Sequence, residues 1–139
     1  MVRWVFYLFI AVVIALVLTI FAGVDTGLRF SLGQEFSLKI GQTAFITDEE
    51  LSIKFVAVTE DSRCPQGAVC VWEGRVSCLV QLAYGSTSET IVLTQSGTTD
   101  QYSEEAYQEY TLAFRVQPYP EVGKEIEDSE YRLYLIIER

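Results

Sequence analysis

Hydrophobic residues follow two patterns along this chain: one continuous run near the amino terminus, then alternation with polar residues. The run from Trp4 to Ala22 has 19 residues and no charge. As a helix it would be roughly 28 Å long, close to the hydrocarbon thickness of a bilayer. The run therefore predicts one N-terminal transmembrane helix, with residues 1–23 as the anchor and residues 24–33 as a linker.

A cleaved signal peptide is the competing interpretation of this run. Such peptides have an apolar stretch of about 7–15 residues and small side chains just before the cut. Cleavage after Ala22 or Gly23 would place Ile20 or Phe21 where a small residue is needed. We therefore expect the anchor to be retained.

Alternation with a period of two, which is typical of strands with one buried face, begins near Gln34. A short helical turn is expected at Ser103–Gln108, where Ser103 precedes two glutamates. No long amphipathic helix separates the alternating segments, so residues 34–139 are predicted to form an all-β domain, an antiparallel sandwich or small barrel of six to seven strands. The alternating segments are Phe36–Ile46, Leu51–Ala57, Val76–Tyr84, Thr90–Gln95, Tyr110–Val116 and Tyr131–Ile137.

Charge and composition exclude several classes of function. The chain has 19 acidic and 10 basic residues, a net charge of -9, so a phosphate backbone would repel it and no nucleic-acid partner is expected. It has no His, the commonest general base and a frequent ligand of zinc, copper and haem. We expect no catalytic residues, no cofactor and no metal site.

Two cysteines lie six positions apart in the stretch Glu60–Gly74, EDSRCPQGAVCVWEG. Pro65 and Gly67 let the chain turn back, so Cys64 and Cys70 can reach the Cα separation of roughly 5.5 Å that a disulfide needs. We expect this disulfide to stabilise its small loop by roughly 2–3 kcal/mol. A redox pair would favour Cys-x-x-Cys, zinc would lack a fourth good ligand, and a nucleophilic cysteine would lack a base.

The compartment follows from this disulfide, which needs oxidising surroundings. Arg3 before the apolar run and Asp25 after it give a small positive-inside bias in the same direction. We expect a single-pass protein of the plasma (inner) membrane, with a cytoplasmic N-terminus and a periplasmic or extracellular domain. Cys78 falls on the inward face of its strand, where a free cysteine behaves as a small hydrophobe; an intermolecular disulfide is the alternative.

Three segments carry a resemblance to a known family: DSRCPQGAVCVWEG, YTLAFRVQPYP and SEYRLYLII, in this order. Together they resemble an uncharacterised family of small secreted or membrane-attached bacterial domains with a DSRCP, Cys, Trp, Gly core and a Pro-Tyr-Pro segment before the last strand. The resemblance covers about residues 35–138. It implies a β fold outside the cytoplasm and no assigned activity.

The residues around the cysteines allow two interpretations. In the structural one, Arg63 pairs with a carboxylate such as Glu60 or Glu73 as the loop turns. In the functional one, Arg63, Trp72 and Arg75 form an exposed recognition patch, since Arg and Trp are favoured interface anchors. The structural interpretation is favoured, and the three side chains are the candidate interaction residues.

Two functions of different classes fit these observations. The first is a non-catalytic interaction module that docks on a protein partner, in the manner of a single-span accessory subunit of a larger membrane complex. The second is a ligand- or Ca²⁺-binding domain that uses the acidic turns Asp48–Glu50 or Asp100 with Glu104 and Glu105. For the first, apolar side chains on outward faces are the contact candidates: Val56, Val58, Leu79, Val92, Tyr134 and Ile136.

Overall fold

The alternating segments form β-strands, as their pattern predicts. The structure is a computed structural model that describes residues 27–97 and 101–139. All regular secondary structure in this part of the chain is β-strand. The predicted transmembrane helix at residues 1–23 lies outside the described residues. The described part contains nine strands: β1 Leu28–Phe30, β2 Phe36–Lys39, β3 Thr43–Ile46, β4 Leu51–Asp61, β5 Arg75–Tyr84, β6 Thr87–Ser96, β7 Ser103–Tyr107, β8 Tyr110–Gln117 and β9 Arg132–Glu138.

The strands form two open sheets that pack face to face. One has the order β1-β3-β4-β5-β6 and the other β2-β9-β8-β7. All pairings are antiparallel except that of β1 with β3. The all-β prediction is therefore confirmed, and the arrangement is a sandwich rather than a closed barrel.

The core lies between the sheets and takes its side chains from alternate positions of the strands. Period-two alternation sends every second side chain to one face, so each predicted inward face contributes to one shared apolar layer. Three polar or charged residues in the described part of the chain are also buried: Arg63, Ser77 and Gln95. The largest fully buried side chains are Phe55, Phe114, Tyr110, Leu38, Leu51, Ile53, Leu82, Leu93, Leu112, Leu133, Leu135 and Ile137.

The amino-terminal part of the domain crosses between the sheets twice. Phe30 at the end of β1 stacks on Phe36 at the start of β2, with ring centroids 4.3 Å apart, although the two strands belong to different sheets. The segment predicted as one strand from Phe36 to Ile46 is in fact β2 and β3, separated by a turn at Gly41. This division adds one strand, and with the unpredicted strands β1 and β7 the count is nine, above the predicted six to seven.

Two other predictions from the sequence were wrong. Leu28–Phe30 lies in the predicted linker, but it pairs with β3 and starts the domain before Gln34. Ser103–Tyr107 is strand β7 and not a helical turn, because its backbone pairs with β8. Among residues 27–97 and 101–139, no helix is long and apolar enough to cross a membrane.

Strand β4 changes its buried face partway along. The register with β5 shifts between Phe55 and Ala57 and again between Val58 and Glu60. Each extra residue reverses the alternation beyond it, which turns Val58 toward the core and leaves Ala57 half-buried. This explains why the far end of β4 is apolar on both faces.

Cys78 lies in the core and has no disulfide partner. Burial raises the pKa of its thiol to about 12, because a thiolate would lose its hydration there. The thiolate is the form that attacks thiol reagents, so the buried, protonated thiol should be inert in the folded protein.

We therefore expect no reaction of the folded full-length chain with a maleimide at about pH 8. One thiol per chain should react after unfolding without reductant, since only Cys78 is free. All three cysteines should react after reduction. Mass spectrometry counts the adducts, and labelling of the folded chain would contradict the burial of Cys78.

The entry to β5 depends on Gly74. Its φ is +70°, and a Cβ placed there would lie 1.8 Å from the Ser62 carbonyl oxygen. Gly41 has a similar φ of +88° but open space around it. The two glycines share backbone strain on substitution, and only Gly74 adds a backbone clash.

We expect Gly41→Ala to lower the free energy of unfolding by about 1 kcal/mol, the cost of a positive φ. Gly74→Ala should cost about 3 kcal/mol or more, since the backbone must also move. Urea unfolding of the full-length chain in mild detergent measures both. Equal losses for the two variants would contradict the close approach at Gly74.

Candidate functional site

The disulfide predicted from the sequence is present. Cys64 and Cys70 are bonded, with Cα atoms 5.9 Å apart. The bond closes the connection between β4 and β5 into a small ring at one end of the sandwich. Its surroundings contain most of the unusual features of the domain.

Arg63, next to this ring, is buried, which agrees with the favoured structural interpretation and not with its alternative, the exposed recognition patch. Its side chain is 1% exposed. It pairs with Asp61, where Nε and Nη2 donate to the two carboxylate oxygens at 2.8 and 2.6 Å. The sequence had suggested Glu60 or Glu73 instead. Asp61 is the partner because it ends β4, two residues before Arg63, and its carboxylate fits the fork of the guanidinium.

Arg63 also bonds the opposite sheet. Its Nη1 donates to the Val116 carbonyl and its Nη2 to the Pro118 carbonyl, each at 2.9 Å, and its guanidinium lies 5.1 Å from the centroid of the Tyr119 ring. Arg63 therefore fastens the β4–β5 connection to the end of β8. We call Arg63 and Asp61 the arginine clamp.

The clamp satisfies backbone groups that strand pairing leaves open. Strand β7 pairs with β8 only as far as Phe114, so Val116 lies beyond the paired stretch. The Val116 N–H donates to Gln95 Oε1 at 2.8 Å, while the Val116 carbonyl accepts from Arg63. Two buried side chains thus replace the missing part of β7, and unpaired backbone in the core would be costly.

Tyr131, just before β9, adds a further hydrogen bond to the clamp. Its hydroxyl donates to Asp61 Oδ2 at 3.0 Å. Burial raises the pKa of the Tyr131 hydroxyl, and the negative charge of Asp61 raises it further. The hydroxyl stays protonated at neutral pH and remains a donor to the carboxylate. Asp61 is thereby held by two elements and Arg63 by three carbonyl or carboxylate groups.

The disulfide loop is paired with a second loop, the one between β8 and β9. The Gln66 N–H donates to the Pro120 carbonyl at 2.8 Å, and the Val122 N–H donates to the Gln66 carbonyl at 3.2 Å. Gln66 and Glu121 form a short parallel bridge. The two loops therefore form one continuous surface at this end of the sandwich.

This surface presents four apolar side chains to solvent. Val69 and Val71 are fully exposed at 104% and 105%, Trp72 is 60% exposed and Val122 is 61% exposed. We call these four residues the apolar tip. Only two other large apolar side chains in the described residues are exposed, Leu28 and Val92. No charged residue occurs from Cys64 to Trp72, and this signal in the sequence could have revealed the tip.

The other two predicted interaction residues lie at the surface. Trp72 belongs to the apolar tip. Arg75 is exposed and its Nε donates to Glu60 at 2.9 Å, in a pair whose side chains are 54% and 37% exposed. The structure thus places Trp72 and Arg75 at the surface on the same connection, with Arg63 beneath them as a structural residue.

The predicted outward contact residues are divided between the two sheets. Leu79 pairs with Val92 across β5 and β6 on the outer face of their sheet, where only Val92 is strongly exposed. Tyr134 and Ile136 are half-buried on the other sheet. Val58 packs against the core. These positions form no surface comparable to the apolar tip.

An arginine on the outer face of the second sheet was missed in the sequence. Arg115 lies between two aromatic rings, 5.1 Å from the centroid of Tyr102 and 4.9 Å from that of Tyr134. It lines an open groove of about 570 Å³ with Arg132. Arg132 Nη1 donates to the carbonyls of Ser129 and Tyr131 in its own turn, so this arginine of the groove is already engaged within the domain.

The acidic side chains proposed as a calcium site either bond to other residues of the domain or point in different directions. Glu49 accepts hydrogen bonds from the Tyr110 hydroxyl and from Arg139. Glu104 and Glu105 are adjacent on β7 and so point to opposite faces. Asp100 lies outside the described residues. Over 27–97 and 101–139, no group of three metal-binding side chains comes together.

Comparison with known proteins gives no further guide. The chain matches no family model, and neither a curated protein nor a solved structure is significantly similar to it. The case for a function therefore depends on the residues themselves.

The clamp and the exposed pair next to it allow a matched test of stability. We expect Arg63→Met to lower the free energy of unfolding by about 3–5 kcal/mol, because it leaves a mostly buried carboxylate and two carbonyls without their donor. Arg75→Met should cost about 0–1 kcal/mol, since water screens its exposed pair. Urea unfolding of full-length chains measures both, and similar losses would contradict a structural role for Arg63.

Proposed function

We propose that this chain is a membrane-anchored, non-catalytic interaction module that holds its β domain outside the cytoplasm and docks through the apolar tip. The tip is the observation that carries the proposal. Soluble surfaces rarely expose several large apolar side chains together without a binding role. Val69 lies within the disulfide-closed ring, and Val71 and Trp72 follow it directly. Because the ring restricts the backbone, little conformational entropy is lost when this surface binds.

The anchor rests on the sequence of residues 4–22, which is long and apolar enough to span a bilayer. The Cys64–Cys70 disulfide supports an oxidising compartment for the domain. Together they favour a cytoplasmic N-terminus and a periplasmic or extracellular domain. A component of the same membrane is then the nearest partner for the tip, and a single-span accessory subunit of a membrane complex is a role of this kind.

A binding role suits the tip better than a chemical one. The two arginines on the same connection make structural contacts: Arg63 with Asp61 and two carbonyls, and Arg75 with Glu60. General acid or base chemistry needs a group free to exchange a proton with a substrate. The four side chains of the tip itself, Trp72 and three valines, offer contact area and no proton.

Photo-crosslinking in native membranes tests the proposal. A photoreactive residue at Val69 should form adducts with membrane components, whereas the same residue at exposed Thr87, in the hairpin at the other end of β5, should not. Val69→Ser with Val71→Ser should leave stability within about 0.5 kcal/mol, because both side chains are exposed, yet reduce adducts from a probe at Val122. Equal labelling from positions 69 and 87, or none from either, would contradict the proposal.

A further inference from the structure

We infer that the apolar tip rests in the bilayer interface beside the chain's own anchor, so that the domain meets the membrane at two points. This inference rests on the proposed function and names the partner of the same surface. It follows from the direction in which the chain enters the sandwich, from the length of the tether and from the chemistry of the tip.

The chain enters the sandwich from the end that carries the tip. Strand β1 is parallel to β3, and both β3 and β5 are antiparallel to β4. Strands β1 and β5 therefore run in the same direction. The amino end of β1 therefore points the same way as the amino end of β5, and the disulfide loop directly precedes β5. An anchor that precedes β1 is tethered on the tip side of the domain.

The rise from β1 to the tip can be counted along a row of paired residues. Leu28 pairs with Ala44, Ala44 with Ile53, and Ile53 with Leu82. From Leu82 to Val76, at the base of the tip, β5 has six residue steps, about 20 Å at roughly 3.3 Å per step.

The tether is about as long as this rise. Five residues, 23–27, separate Ala22 at the end of the predicted span from Leu28. Six extended steps reach at most about 20 Å. The tether places Leu28 at most about 20 Å from the bilayer, and the base of the tip lies about 20 Å from the level of Leu28 on the same side. When the strands lie along the membrane normal, the tip therefore reaches the surface of the bilayer.

The chemistry of the tip suits the membrane interface. Tryptophan is enriched there, since its ring is apolar and its N–H stays near water. Val69, Val71 and Val122 surround it with apolar area, and residues 64–72 bring no charge to desolvate. The neighbouring loop adds acidic residues at the same end, so we expect shallow insertion into neutral lipid and repulsion from anionic lipid. These residues are Glu121, Glu125, Glu127, Asp128 and Glu130.

The tether also explains why a small surface is enough. A standard protein interface takes roughly 20–30 residues from each side, whereas the tip has four apolar ones. A surface held next to the bilayer by its own anchor has a high effective concentration there, and a weak contact is then populated. A free protein partner would have no such advantage.

Fluorescence of the full-length chain in lipid vesicles tests the inference. The chain has two tryptophans, so Trp4→Phe leaves Trp72 as the only reporter. In vesicles of zwitterionic lipid we expect blue-shifted Trp72 emission, with a loss of intensity when the lipid carries bromine near the headgroup and a smaller loss when bromine lies deep. The same signals should weaken as anionic lipid is added.

A matched variant places the reporter at the opposite end: Trp4→Phe, Trp72→Phe and Thr87→Trp. Its emission should be red-shifted and unaffected by bromine. Unquenched Trp72 in a chain that floats with the vesicles would overturn the inference.

Crosslinking separates failure of the inference from failure of the proposed function. Protein adducts from position 69 in native membranes, together with unquenched Trp72 in pure lipid, would overturn the bilayer contact and leave the interaction module standing. A chain that does not float with vesicles, or that gives neither adducts nor quenching, would overturn both. Quenching in vesicles without any other protein supports the inference directly.

Discussion

The buried pair of Asp61 and Arg63 is the interaction on which the tip end of this domain depends. A charge in the interior is stabilising only when its hydrogen-bonding capacity is met, because desolvation otherwise exceeds the Coulomb gain. Here the guanidinium makes four hydrogen bonds, and the carboxylate accepts a further one from Tyr131. The clamp joins the ends of β4, β8 and β9, which belong to two different sheets.

The features at this end support one another in sequence. Gly74 allows the connection to approach Ser62, which brings Arg63 under the loop. The disulfide closes the loop, and the hydrogen bonds of Gln66 attach it to the β8–β9 connection. These hydrogen bonds and the disulfide fix the backbone of the loop with the valines and Trp72 on its outer side. The tip is therefore an ordered surface of small side chains and one large ring.

The sequence predicted what depends on local pattern and failed where distant residues decide. Alternation correctly assigned inward faces such as Leu112 and Leu133, since burial of every second residue is a property of a single strand. Spacing alone was enough for the Cys64–Cys70 disulfide. The crossing at Gly41 and the pairing of β1 with β3 could not be read, because alternation says nothing of which sheet a strand joins.

The site shows the same division. Trp72 was expected at the surface from its type and is exposed there, whereas the contacts of Arg63 with Val116 and Pro118 could not be predicted because those residues are more than fifty positions away. Val122 joins the tip only through the pairing of two loops, and no local signal marks it. The uncharged stretch from Cys64 to Trp72 was the one clue available.

Hydrogen exchange of the full-length chain in a lipid environment tests most directly whether the clamp makes the tip an ordered surface. We expect the amides of Cys64, Gln66 and Val122, which donate to backbone carbonyls, to exchange far more slowly than in an open chain. They should lose nearly all of this protection in Arg63→Met, while the amides of β5 should remain protected, reduced only by the loss of global stability. Exchange of these three amides at the open-chain rate in the unmodified protein would contradict this structure of the tip.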